Sequence, residues 1–327
     1  MAEYYDFSKK DNAERAVPAE GTAASPDLQT GEAPAAPAVK KRRFGDGVIV
    51  TCIAAFLLMN LGQMLGVVFE FIPYFRTASD AVQTAVMYFE FIGIWIVFYL
   101  YFLISLKDRP IMKAIGTKPR GNNLGMFLLG FVVFGFGLNA ICAGTAMLNG
   151  DIYIYFDSLN VPGLLLVLLA VLVQSGAEEL VCRGFIYQRL RRSYRNPWVA
   201  IIANSALFAL LHIFNPGVNP LAIADIFVTG ILFSFMVYYM DSIWCAIAAH
   251  TAWNFTQNII FGLPNSGLVV PFSVYKLDAA SATNSFAYNV GFGVEGTVLS
   301  VIVLSVASLA IWLWGRKHAK PEYDVWN

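Results

Sequence analysis

Eight runs of apolar residues follow one another along the chain. They lie at about 48–72, 82–106, 124–148, 161–190, 198–214, 221–240, 243–262 and 289–315, the fifth being the shortest at 17 residues. A helix rises about 1.5 Å per residue, so about 20 residues cross roughly 30 Å of hydrocarbon. In lipid only helices and closed barrels satisfy every backbone polar group, and the strict alternation of barrel strands is absent. The pattern therefore predicts an all-α fold, a polytopic membrane helical bundle with about eight transmembrane helices. Residues 1–43 carry no apolar period, and their Ala, Pro, Glu and Lys predict a disordered cytoplasmic tail. No apolar core of a signal peptide occurs in the first thirty residues. The expected organisation is this tail, a transmembrane domain over 44–320, and a short cytoplasmic C-terminus over 321–327.

Composition supports that picture. The chain is 57% hydrophobic and 13% charged. Of its 44 charged residues, 14 fall in 1–43, which leaves 30 for the other 284 positions. So few charges cannot coat a water-soluble surface of that size. A soluble enzyme, a nucleic-acid binder and a secreted disulfide scaffold are all excluded on this ground. Cys52, Cys142, Cys182 and Cys245 stand singly, without the paired spacing of a metal cluster or a disulfide framework.

The formal net charge of zero conceals an asymmetry. With the N-terminus in the cytoplasm, 20 of the 22 Lys and Arg fall on the inner side and only Arg76 and Lys276 on the outer. This places an integral, multi-pass protein in the plasma membrane with both termini cytoplasmic and the bilayer as its first partner. The arginines at 189–195 then form a positive-inside anchor, and 263–288 is an outer loop. No internal repeat of the kind found in transporters is visible.

Ionisable residues inside apolar runs are costly and are functional candidates by default. The fourth run carries Glu178-Glu179-Leu180-Val181-Cys182-Arg183, the fifth Phe208 and His212, and the seventh His250 and Asn254. Glu179 and Arg183 are four apart with the acid first, the favourable order for a helical ion pair. Glu178 lies about 100° further round the helix, without an equally good local partner, free to face a cavity. Phe208 with His212, and His250 with Asn254, share helix faces at the same spacing. Counted along the helices, the three sets reach comparable depths, clustered in the inner-to-middle zone and open to one side. A carboxylate, two imidazoles and an amide at one depth suit water-driven acyl cleavage, with Glu178 as general base and a histidine and the asparagine donating to the oxyanion. Neither Gly-x-Ser-x-Gly nor His-Glu-x-x-His occurs.

Glu-Glu-x-x-x-Arg at 178–183, Phe-x-x-x-His at 208–212 and His-x-x-x-Asn at 250–254 follow in this order on separate runs. Together they resemble the CPBP intramembrane proteases, the CAAX-protease and bacteriocin-processing (Abi) group that includes the Ras-converting CAAX endopeptidases. The resemblance covers about residues 161–262, the motif core of the transmembrane domain. It implies a helical bundle with a conical cavity open to the cytosol and laterally to lipid. It implies Glu178 as the water-activating base, His212 helping to hold the water, and His250 with Asn254 as the oxyanion hole. Glu179, Arg183 and Phe208 are then supporting. The implied substrate is a membrane-associated protein, a lipidated CAAX-like peptide or a bacteriocin-type peptide. No cofactor is favoured; the metalloprotease label attached to the family leaves zinc as the alternative, with Glu178, His212 and His250 as a ligand set.

Other acids in the runs invite simpler readings. Glu90 is mid-run with no partner in view, Asp225 and Glu295 sit near outer ends where wetting is easy, and Asp241 suits a helix cap. Two other functions compete with proteolysis: a proton- or ion-coupled transporter, and a catalytically silent membrane scaffold. A transport path needs polar groups reaching both faces.

Overall fold

The computed structural model describes residues 44–116, 122–318 and 325–326, all within one compact unit of the chain, Lys41–Asn327. The expected disordered tail lies outside the described residues. Apart from one two-stranded ribbon, the regular structure is helical, as the apolar runs predict.

Among the described residues six helices are long and apolar enough to cross a membrane: α1 (Val48–Phe71), α2 (Asp80–Ile104), α3 (Asn123–Leu148), α4 (Val161–Ser193), α6 (Pro220–Met240) and α8 (Val298–His318). The fifth run forms a shorter apolar helix, α5 (Pro197–Leu210). The seventh forms α7 (Ile243–Asn254), prolonged by a π-helical stretch, Phe255–Ile260. The expected eight runs are thus eight helices among the described residues, but two lack the length or hydropathy of a span. For α5 the cause is length. For α7 it is the polar set His250, Thr251, Asn254, Thr256, Gln257 and Asn258, all of them buried. A helix buried all round by protein does not need a lipid-compatible surface.

Local chemistry starts the helices that matter. The side chains of Asn160, Asn196 and Asn219 cap α4, α5 and α6, each with a proline in the first turn, the arrangement that satisfies orphan N–H groups where Pro has none to lose. Asp241 is a helix cap, as its position suggested, at the C-terminal end of α6. It takes a left-handed conformation (φ 52°) and ends α6, while the Ser242 side chain accepts from Cys245 N and caps α7.

Close helix contacts rest on glycine. A Cβ on Gly66 would lie 1.8 Å from Glu90 O, and one on Gly93 would lie 2.1 Å from Gly62 O. Gly62 and Gly66, four apart, let the backbones of α1 and α2 touch, the small-xxx-small device of membrane helices. The other face of α1 exposes Ile49, Ile53, Leu57 and Met64, as a lipid-facing surface should.

The segments expected on the inner side converge. Asp46, before α1, and Asp108, after α2, both pair with Arg192 and Arg189 of α4, and Arg192 lies 4.1 Å over the Trp326 ring. The expected outer loops also meet. Strand β1 (Ile154–Phe156) pairs antiparallel with β2 (Tyr275–Leu277), and Lys276 bridges to Asp157 at 3.1 Å.

Candidate active site

The fourth helix changes its winding where it carries chemistry. α4 is α-helical to Glu179, π-helical from Leu180 to Ile186 and α-helical again to Ser193. π-bulges of this kind recur at functional sites. The two glutamates just before the change face different ways. Glu179 is fully buried, and its Oε1 accepts from Arg183 Nη1 at 2.9 Å. Arg183 is equally buried; its Nη2 donates to Gly230 O at 2.9 Å, and its guanidinium lies over the Phe208 and Phe233 rings at 5.0 and 5.3 Å. Glu178 faces a cavity of about 310 Å³.

That cavity brings together residues from three separate elements. Glu178, Phe208, His212, His250 and Asn254 all line it, while Glu179 and Arg183 stand behind the wall. The helical sorting of the two glutamates is thus reproduced in space. Phe208 is a hub: its ring meets His212 at 5.0 Å and His250 at 5.9 Å, centroid to centroid.

Hydrogen bonds orient both imidazoles. His212 Nδ1 lies 2.8 Å from Phe208 O. A carbonyl can only accept, so Nδ1 carries the proton, and Nε2 of the neutral ring offers a lone pair. His250 Nδ1 lies 3.1 Å from Glu179 Oε1, and its Nε2 lies 3.6 Å from Glu178 Oε2. A proton added at Nε2 makes an imidazolium between two carboxylates.

His212 is not inside a span, as expected from the fifth apolar run. α5 ends at Leu210, and His212 stands on the turn that follows. The depth of the site is corrected with it. The cavity wall includes Asn265, Ser266, Leu268 and Val270 from the loop assigned to the outside, and none of the inner cluster around Asp46 and Arg192. Its polar groups therefore run from mid-protein towards the loop side, not through an inner-to-middle zone. Towards the other end lie Phe98, Phe102, Phe185, Ile186 and Leu190, all fully buried.

Gln174 and Ser175 were missed in the sequence. Gln174 Nε2 donates to Glu178 Oε1 at 2.7 Å, and Gln174 Oε1 accepts from Asn254 Nδ2 at 3.1 Å and from Ser175 Oγ at 3.0 Å. One amide thus ties the carboxylate of α4 to the amide of α7. The available signal was spacing: Gln174 stands four before Glu178, on its face of the helix. The second N–H of Asn254 reaches Ser175 Oγ only at 3.4 Å, a weak bond that leaves it open to a better acceptor.

Asp225 and Glu295 are not wetted, as their places near run ends suggested. Both line the cavity, and they are 1% and 6% exposed. Glu295, just before α8, accepts from Trp253 Nε1 at 2.8 Å and from the Ser266 backbone and hydroxyl. Burial pushes its carboxyl above the ordinary range, against the pull of these donors. Glu90 lies at the break between Asp80–Phe89 and Ile92–Ile104, and its Oε1 has no hydrogen-bond partner.

The zinc alternative fits in part. Each imidazole has its Nδ1–H held by an oxygen, as the ring of a metal-bound histidine does. The ligands themselves do not converge: among the described residues no three His, Cys, Asp or Glu side chains are gathered as a metal site needs. As placed, Glu178, His212 and His250 do not fit the ion.

Residues 160–256 match the Rce1-like family model, described as type II CAAX prenyl endopeptidase Rce1-like. All seven candidate residues fall within the match. The uncharacterized protein YyaK of Bacillus subtilis (strain 168) is 24% identical over 217 residues, which are 62% of this chain and 72% of that one. No solved structure matches.

Proposed function

We propose that this chain, a membrane peptidase carrying an Rce1-like domain over residues 160–256, is an intramembrane endopeptidase that cleaves by a glutamate-activated water. Its substrate is a membrane-associated protein or a lipidated, CAAX-like or bacteriocin-type peptide. The observation that carries the reading is that Glu178, His212, His250 and Asn254, from three elements, line one cavity.

The steps follow from the donors and acceptors. A water in the cavity donates one hydrogen bond to Glu178 and one to His212 Nε2. Glu178 takes the water's proton as the oxygen attacks the scissile carbonyl carbon. The carbonyl oxygen becomes an oxyanion, which accepts from His250 Nε2–H and from the loosely held N–H of Asn254. Glu179 stabilises the charged form of His250 through Nδ1. Glu178 then hands its proton to the amide nitrogen, the C–N bond breaks, and an acid and an amine leave. Water exclusion by the surrounding protein strengthens each of these interactions.

A transport path fits less well, because the fully buried Phe98, Phe102, Phe185, Ile186 and Leu190 interrupt the polar groups on one side of the cavity. We place the protein in the plasma membrane with both termini inside, on the Lys and Arg distribution. The test is cleavage of membrane-anchored peptides by purified protein. Glu178→Ala and His212→Ala should each lose activity, about 10²–10⁴-fold for the base. Undiminished cleavage by a folded Glu178→Ala variant would sink the mechanism. Activity that vanishes with chelator and returns with stoichiometric zinc would replace it with a metal-assisted one.

A further inference from the structure

Two carboxylates that this mechanism does not use face the same cavity. Glu295 is satisfied by Trp253 and Ser266. Asp225 is not: its Oδ1 has no hydrogen-bond partner although the residue is 1% exposed. The Ser300 hydroxyl and the Gly296 N–H stand beside Asp225 as donors, but Ser300 Oγ, like Asp225 Oδ1, has no partner at hydrogen-bond distance. A buried carboxylate left in that state is costly unless a proton, a cation or a donor answers it.

The neighbouring wall offers acceptors. Thr229, one turn along α6, donates its hydroxyl proton to Asp225 O at 3.0 Å, so its lone pairs face outwards. Asn265 Oδ1, on a residue 8% exposed, also lacks a partner. Among the residues lining the cavity there are three carboxylates, those of Glu178, Asp225 and Glu295, and no Lys or Arg. An ammonium or guanidinium group has only donors and carries the complementary charge.

Helix geometry places this end relative to the chemistry. Asp225, Thr229 and Phe233 recur every fourth residue on one face of α6, and the Phe233 ring lies 5.4 Å from that of His250. Asp225 is therefore two turns, about 12 Å, from the level of His250. An extended peptide covers that in about four residues.

We propose that Asp225, with Asn265 and the field of Glu295, forms a subsite for a Lys or Arg side chain of the substrate within about four residues of the scissile bond. This rests on the endopeptidase reading of the cavity. The experiment has two arms, both with the purified full chain. In the first, a mixed-sequence library of acylated peptides is digested and the cleavage sites are mapped by mass spectrometry. Sites cut by the wild type should be enriched about tenfold in Lys or Arg at one fixed position. Asp225→Asn should abolish that enrichment whatever total cleavage remains, and Asp225→Glu should keep it. Wild-type cleavage without enrichment, or enrichment unchanged in Asp225→Asn, overturns the subsite. The second arm needs no turnover. n-Butylammonium should raise the melting temperature above that in n-butanol for wild type and not for Asp225→Asn; equal melting in the two probes overturns the subsite. A library left uncut by wild type counts against the endopeptidase reading alone, and the thermal arm still decides the subsite.

Discussion

His250 Nδ1 and Arg183 Nη1 meet at one oxygen, Oε1 of Glu179, at 3.1 and 2.9 Å. A single buried carboxylate oxygen thus holds the ring that faces the cavity and the cation behind it. Its partner Oε2 has no hydrogen bond, so the geometry serves the two bonds at Oε1. Removing one member of a buried pair strands the other, at about 3–5 kcal/mol. Glu179→Gln should therefore lower the melting temperature sharply as well as reduce cleavage. Glu179→Gln combined with Arg183→Met should regain much of the stability but little activity, because His250 still lacks its anion. Equal melting of wild type and Glu179→Gln would show that the pair is not buried as described.

Gln174 should be a positioning residue. It donates to Glu178 and accepts from Asn254, so its loss disturbs base and oxyanion donor together. A hydrogen bond to a charged group contributes about 1.5–3 kcal/mol. Gln174→Met should lower kcat about 10–100-fold and shift KM little, since no substrate contact is required of it. Gln174→Glu places a second carboxylate against Glu178 and should move the pH profile of kcat as well. A Gln174→Met effect confined to KM would assign the residue to substrate binding instead.

What could be read in advance followed from helix periodicity. Glu179 with Arg183 and the outward turn of Glu178 come from residues four apart or adjacent on one helix, and Phe208 with His212 from the same spacing carried into the turn after α5. The joining of three elements at Phe208 is a tertiary fact with no local signature. So is Gln174, whose partner Asn254 lies 80 positions away. The π-helical winding after Glu179 and after Asn254 was invisible to a 3.6-residue period. Asp225 and Glu295 were misjudged because position along a run measures distance from its end, not burial beneath a loop. Length and hydropathy mark six spans rather than eight for a related reason: hydropathy reports contact with lipid, and α7 is enclosed by protein.

The contact of α1 with α2 should be intolerant of one methyl group. The Cβ of an alanine at 66 would fall 1.8 Å from Glu90 O, a backbone atom that cannot swing aside. Overpacking of a close contact costs about 1–3 kcal/mol. Gly66→Ala should lower the melting temperature of the purified protein by several degrees. Gly144→Ala, where nothing lies within 4 Å of the new carbon, should leave it unchanged. A Gly66→Ala protein as stable as Gly144→Ala would mean that α1 and α2 do not touch there.

Membrane orientation can be tested at positions whose chemistry is already in place. Lys276 pairs with Asp157 between the two loops assigned to the outside, Arg76 follows α1, and exposed Lys107 lies beside the inner cluster at Asp108 and Arg192. Each is replaced singly by cysteine. Cys142, Cys182 and Cys245 are buried and Cys52 is partly so, which makes the unmodified protein the background. A membrane-impermeant maleimide applied to intact cells should label Arg76→Cys and Lys276→Cys. It should label Lys107→Cys only after the membrane is opened. Labelling in the reverse pattern would invert the whole assignment, because all three positions are tied to one set of helices. It would also place Asn265, Ser266 and the cavity they border on the cytoplasmic side. The expected pattern places the loop wall of the cavity, Asn265 to Val270, on the outer side.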